Sequence, residues 1–283
     1  FFLLLLLLLL LLLLLLLLRL SSSSIFFFPL SFLSSSSSSC VRHKVEFHGA
    51  PKSGTTYTLE LLQELHRQHC LAQPECEWLA AQRVMRRRDG CAWRILPRHH
   101  PPMPANASVH PGWRHVLLVR DPRDTAVSLM HWLNTSYLSM HSQLARGASM
   151  AAVAEDFRRA QRLGPAQVLV LAYECLVHDP LGQLTRMSQF LGLGLNRTVL
   201  ERVRDANTLA QMREREQRSS HRVARCGRFG GHLAALHADT QRIAQRQMQA
   251  LLPPPLLRFF NVTVPALLPR PLPTGCGAAA ATK

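Results

Sequence analysis

Val45-Glu46-Phe47-His48-Gly49-Ala50-Pro51-Lys52-Ser53-Gly54-Thr55-Thr56 is the stretch on which the fold turns. It reads as a short strand, a tight turn carrying one lysine, and the start of a helix running from Tyr57 to about His69. Gly49 and Gly54 allow the chain to turn sharply, and Ser53, Thr55 and Thr56 place hydroxyls beside the N–H groups that a helix start leaves unpaired. Donors and the positive end of the helix dipole then point the same way, which makes an anion site. Gly49 and Gly54 have the glycine spacing of the nucleotide loop G-x-x-x-x-G-K-[ST], but Thr55 stands where its lysine belongs and Lys52 has moved back. The loop is built to cradle a phosphate, but not as an ordinary nucleoside-triphosphate loop does.

Working outward, 283 residues suit one α/β domain of roughly 200 residues with appendages. The formal charge of +16 would ordinarily point to a polyanion. All but three of the 33 basic residues are Arg, however, and Lys44, Lys52 and Lys283 are the exceptions. In an Ala- and Leu-rich chain that ratio reads as compositional bias, so nucleic acid is not the partner expected. The scarcity of lysine makes Lys52 more informative. The seven cysteines (Cys40, Cys70, Cys76, Cys91, Cys175, Cys226 and Cys276) include no C-x-x-C pair and no histidine at zinc spacing. Buried or free thiols are expected, and no metal.

Residues 1–18 are two Phe and sixteen Leu, just long enough for a membrane span, within a hydrophobic leader of residues 1–20. A Ser-rich linker, 21–40, follows. A signal anchor and stem read this way, and the alternative is that so pure a run is a gene-model artefact. Four of the five Asn, at 106, 134, 196 and 261, sit in N-x-[ST] sequons. The expectation is a glycoprotein anchored by its leader in a Golgi-like secretory membrane with a lumenal domain, or a cytoplasmic protein if the leader is not genuine.

The globular pattern begins at Val41. After an irregular Arg-rich region, Pro74 to Gly90, a strand-into-loop segment runs from Cys91 to Pro102. His115–Val119 and Val168–Tyr173 are short, buried-type strands. Arg120-Asp121-Pro122-Arg123-Asp124 enters a helix that continues past Ser128 to Leu133. Further helices are expected around Met150–Leu163, Pro180–Leu191, Val199–Arg213 and His232–Leu251, with an Arg/Gly loop from Ser219 to Gly231 before the last. Strands alternating with helices over 41–252 predict one open, mainly parallel α/β domain with its ligand at the strands' carboxyl ends. The Pro/Ala-rich tail, 253–283, is expected to be extended over the surface or disordered.

Arg120 at a strand end and Ser128 two turns into the next helix could grip one phosphate. Arg225-Cys226-Gly227-Arg228-Phe229-Gly230-Gly231 is a second Arg/Gly loop. Together these segments resemble the sulfotransferases that use 3′-phosphoadenosine 5′-phosphosulfate. Pro51-Lys52-Ser53-Gly54-Thr55-Thr56-Tyr57 is similar to that family's phosphosulfate loop P-K-S-G-T-T-W, with Tyr57 for Trp. Arg120 through Ser128 is similar to R-N-P-K-D-x-x-x-S, the 3′-phosphate motif. Tyr173-Glu174-Cys175-Leu176 with Asp179-Pro180 and Phe190-Leu191-Gly192 resembles Y-E-D-L…D-P…F-L-G. Thr208 to Met212 is a looser echo of T-S-F-x-x-M near the adenine, and Arg225-Cys226-Gly227 of R-K-G.

The resemblance implies a single three-layer α/β domain with a mainly parallel central sheet, akin to P-loop nucleotide-binding folds. It implies in-line transfer of a sulfuryl group from 3′-phosphoadenosine 5′-phosphosulfate to a hydroxyl or amine of a small molecule or carbohydrate, without a metal. Lys52 would neutralise the leaving oxygen. The base would be the histidine of K-T-H-x-P, for which Pro97-Arg98-His99-His100-Pro101 puts His99 in register and His100 beside it. Pro97 and Arg98 replace that motif's Lys and Thr. Glu46 and Glu60 are secondary alternatives. Two rival readings stand beside this one: a nucleotide kinase-like phosphotransferase, and an inactive, basic glycan- or polyanion-binding relative.

Overall fold

The chain divides into two compact units, Phe1–Ser39 and Cys40–Lys283. The computed structural model describes residues 44–72, 76–79, 84–87, 92–99, 103, 113–208, 210–212, 214, 230–263 and 265, all in the second unit. Side chains are described for all of these except 44, 76–79, 84–87, 92–99 and 263.

Six strands make one sheet: β1 (Lys44–Gly49), β2 (Cys76–Leu79), β3 (Val84–Arg87), β4 (Ala92–His99), β5 (Trp113–Val119) and β6 (Val168–Ala172). Their order is β2-β3-β4-β1-β5-β6. β4, β1, β5 and β6 run parallel, while β2 and β3 extend the edge antiparallel. The helices are α1 (Thr55–Leu71), α2 (Pro122–Leu133), α3 (Tyr137–Arg146), α4 (Ala148–Leu163), α5 (Tyr173–His178), α6 (Pro180–Leu191), α7 (Arg197–Ala206), α8 (His232–Ala235), α9 (Ala238–Leu251) and α10 (Pro254–Arg258).

The pleat sorts the parallel strands into two cores. Val45, Phe47, Val116, Leu118, Leu169 and Leu171 pack with Leu62 and Leu65 of α1, Leu184 and Met187 of α6, and Leu200 of α7. Leu117, Val119 and Val168 turn the other way, to Met140, Leu144, Met150, Met248 and Phe260. Helices on both faces of a mainly parallel sheet make the three-layer α/β architecture. β1 lies between β4 and β5, so the chain reverses its direction of travel across the sheet there. The crevice at the carboxyl end of such a strand is where α/β folds bind ligands, and the turn 50–54 lies at it.

Several local expectations give way to tertiary packing. The Arg-rich region between Pro74 and Gly90 contains β2 and β3, because strand pairing at a sheet edge outweighs its weak apolar pattern. The helix expected from His232 to Leu251 is broken at Leu236 and His237, whose extended backbone separates α8 from α9. Beyond Leu252 the chain forms α10 and one π-helical turn (Phe259–Thr263). Leu252, Leu256 and Phe260 are buried there, so this part of the tail is neither extended nor a surface strap. Cys70 is disulfide-bonded, against the expectation of buried or free thiols, whereas Cys175 is free. No helix among the described residues is long and apolar enough to cross a membrane; residues 1–20 lie outside them.

Candidate active site

The loop after β1 is wound on one carbonyl. Ala50 O accepts from Ser53 N at 3.1 Å, Ser53 Oγ at 2.7 Å and Thr55 Oγ1 at 3.3 Å. Lys52, at φ 64°, is one of two described non-glycine residues in the left-handed region, and Gly54 follows at φ 100°. A side chain at Gly54 would place Cβ 2.2 Å from the Tyr173 ring, so only glycine fits. α1 begins directly after it with no side chain capping its N-terminus. Ser53 and Thr55 are buried in the turn, Pro51 and Tyr57 are half-buried, and Thr56 is exposed.

The second segment expected to grip a phosphate begins at the end of β5. Asp121 caps α2 by accepting from Arg123 N at 2.8 Å, with Pro122 in the first turn, as the Asp-Pro entrance predicts. Its other oxygen takes the Arg123 guanidinium at 2.6 Å. Arg120 turns the opposite way: its guanidinium lies 4.3 Å over the Tyr173 ring and donates to Lys52 O at 2.8 Å. Gly54, Tyr173, Arg120 and Lys52 are thus one continuous contact. Burial raises the Tyr173 hydroxyl against the lowering charge of Arg120, and burial beside Tyr173 pushes Tyr57 up to about 12. Both stay neutral donors across the physiological range.

Beneath them, Glu174 Oε1 accepts from Asp121 N at 2.8 Å. Burial pushes the Glu174 carboxyl up to about 7. Asp124, in the first turn of α2, reaches across the chain to accept from Gly230 N at 2.5 Å, His232 N at 2.9 Å and His232 Nδ1 at 2.8 Å. Burial pushes the Asp124 carboxyl up, but the His232 bond, with the charges of His232 and Arg120, holds it below the usual carboxylate range. This latch ends the Arg/Gly segment beside α2. The sequence marks Asp124 as part of a motif; nothing in it marks His232.

The remaining site residues scatter in kind. Ser128 is half-buried on α2, Thr208 is exposed after α7, and Met212 is buried. Arg225, Cys226, Gly227 and His100 lie outside the described residues. His99 ends β4, and its register partner is Gly49, three residues before Lys52. Trp132, a residue of α2 that no motif marks as functional, is 56% exposed with Lys52 Nζ 5.4 Å from its ring centroid. A cavity of about 110 Å³ opens between the end of β1 and α2–α4, lined by His48, Ala50, Leu117, Leu129, Leu144 and Val153 among others. Its wall includes Gln143 and Leu144 of α3 and Val153 of α4.

A family model described as "Sulfotransferase domain" matches residues 44–232, about two-thirds of the chain. The chain belongs to the sulfotransferase family. No curated protein is a sequence match. Among solved structures, this sulfotransferase is similar to mouse sulfotransferase SULT7A1 complexed with PAP (16% identity, 80% of this chain and 88% of that chain covered, TM-score 0.60). It is also similar to retinol dehydratase in complex with androsterone and inactive cofactor PAP (17% identity, 73% and 80% covered, TM-score 0.56). A second retinol dehydratase structure, in a complex with retinol and PAP, matches at 17% identity and TM-score 0.57. At these identities the structural likeness speaks for the shared fold.

Proposed function

We propose that this sulfotransferase moves a sulfuryl group from 3′-phosphoadenosine 5′-phosphosulfate to an acceptor hydroxyl or amine. The observation that carries the reading is the Arg120 bond to the Lys52 carbonyl over Tyr173, which joins the two phosphate grips into one groove. The Ser53–Thr56 turn and the open end of α1 hold the 5′-phosphate. Arg120, Ser128 and the loop carrying Arg225, Cys226 and Gly227 read the 3′-phosphate, while Tyr173, Thr208 and Met212 border the nucleoside. His99 takes the proton of the attacking group as its oxygen or nitrogen bonds to sulfur. The bond from sulfur to the bridging phosphate oxygen breaks, and its electron pair stays on that oxygen, which Lys52 neutralises.

Trp132 stands beside Lys52, and the cavity opens at the neighbouring Ala50 and Pro51, which makes this the acceptor's side. A flat ring, aromatic or sugar, would lie against Trp132 while its hydroxyl meets the sulfur. The Cys70 disulfide and the exposed sequon residues Asn134 and Asn196 support a glycosylated domain in an oxidising secretory compartment, tethered by residues 1–20. The deciding experiment is calorimetric: adenosine 3′,5′-bisphosphate binds at least about tenfold more tightly than adenosine 5′-monophosphate, a gap worth one charge-assisted contact. Equal, weak binding of the two overturns the reading. Radiolabelled donor then identifies the acceptor.

A further inference from the structure

The transfer reaction leaves one buried cluster unused. Glu46 and His48 on β1 and His115 on β5 are all buried, and each brings one ligand atom to within 4.8 Å of the others. Glu46 and His115 are register partners, and His48 follows two residues on along the same strand face. His48 Nε2 lies 3.2 Å from His115 Nδ1 and 3.6 Å from Glu46 Oε2. His115 Nδ1 lies 3.5 Å from that same oxygen.

We propose that Glu46, His48 and His115 form a zinc(II) site that ties β1 to β5 beneath the phosphate loop. Size is the first argument. A tetrahedral zinc with bonds of about 2.0–2.2 Å holds its ligand atoms roughly 3.3–3.6 Å apart. The three spacings match that triangle within 0.1 Å, whereas 3.5 and 3.6 Å are long for hydrogen bonds. Chemistry is the second argument. Two imidazole nitrogens and one carboxylate oxygen are a zinc donor set, while calcium and magnesium draw oxygen-rich ones. The third is access: His48 lines the cavity of about 110 Å³, so an ion can enter and a water can complete the tetrahedron. No sequence spacing announces the site, because its ligands come from two strands 67 residues apart.

The test reads metal, not activity, so it stands or falls separately from the sulfotransferase reading. The full chain, dialysed against metal-free buffer, is expected to retain one zinc per molecule. Cobalt(II) in its place should give the intense visible absorption of a tetrahedral site. Glu46→Gln and His115→Gln should each weaken zinc binding by more than about tenfold, and exposed His178→Gln should leave it unchanged. Chelation should lower the Tm of the native chain and not that of Glu46→Gln. A native chain without zinc or a tetrahedral cobalt spectrum overturns the proposal. So does zinc retained in full by Glu46→Gln, or an equal loss in His178→Gln. If His115→Gln does not fold, the native cobalt spectrum and Glu46→Gln decide.

Discussion

The two segments proposed to grip the donor's phosphates in this sulfotransferase are built on opposite plans. The loop after β1 closes on itself: Ser53 and Thr55 bond to Ala50, three and five residues back. The latch at α2 closes across the molecule, with Asp124 holding Gly230 and His232, which lie 106 and 108 residues further on. A local turn forms with little loop-closure entropy, and its cost is confined to the strained backbone at Lys52 and to glycine at position 54. A long-range latch exists only once the domain has folded, and it then sets where the second Arg/Gly segment ends. Arg120 belongs to both plans, being close in space to the loop and remote from it in sequence.

The largest test of this contrast strikes the local grip. Lys52→Ala should lower kcat by about 10²–10³, the usual loss when one group facing developing charge is removed, while Tm shifts little because the side chain stands at a loop. Donor transfer assays beside thermal melts check it. A Tm loss matching the loss of rate would mean that Lys52 holds the turn together and is not confined to chemistry.

Breaking the latch should do the reverse. Asp124→Asn removes the charge facing His232 and should cost about 1–3 kcal/mol of stability, with a loss of selectivity for the 3′-phosphate. The sign with pH is defined. The Asp124 carboxyl is held low in the folded chain, so its contribution is present above its unfolded value of 3.8 and is lost as pH falls through the folded value. The variant should therefore differ most from the native protein near neutrality and converge with it in acid. Melts at several pH values and paired titrations with the bisphosphate and monophosphate measure both effects.

A third effect, confined to pH dependence, sharpens the floor between the grips. Glu174 is raised from 4.5 to about 7, so its folded form is favoured below 4.5 and loses that advantage as pH rises through 7. Glu174→Gln keeps an oxygen to accept from Asp121 N. It should flatten a pH-dependent fall in stability on the order of 2–3 kcal/mol between those values. A fall of the same size in both proteins would place the titrating group elsewhere.

Much of this was readable along the chain. The continuous apolar run Val116–Val119 marks a strand buried on both faces, and Asp121-Pro122 marks the start of α2. Pro51 to Thr56 carries its own turn, since each of its bonds closes within a few residues. Those features depend on near neighbours and on period, which the order of residues dictates directly. The placing of Tyr173 under Gly54 and Arg120, the bond from Asp124 to His232, and the meeting of His115 with Glu46 and His48 carry no such local mark. β2 and β3, α3, and the burial of Leu256 and Phe260 lack a local mark for the same reason. Each follows from strand register and from how helices pack across a twisted sheet, and those are settled when distant segments compete for one core. The order of residues therefore determined that an anion loop of this class exists; folding across more than a hundred residues decided what stands opposite it.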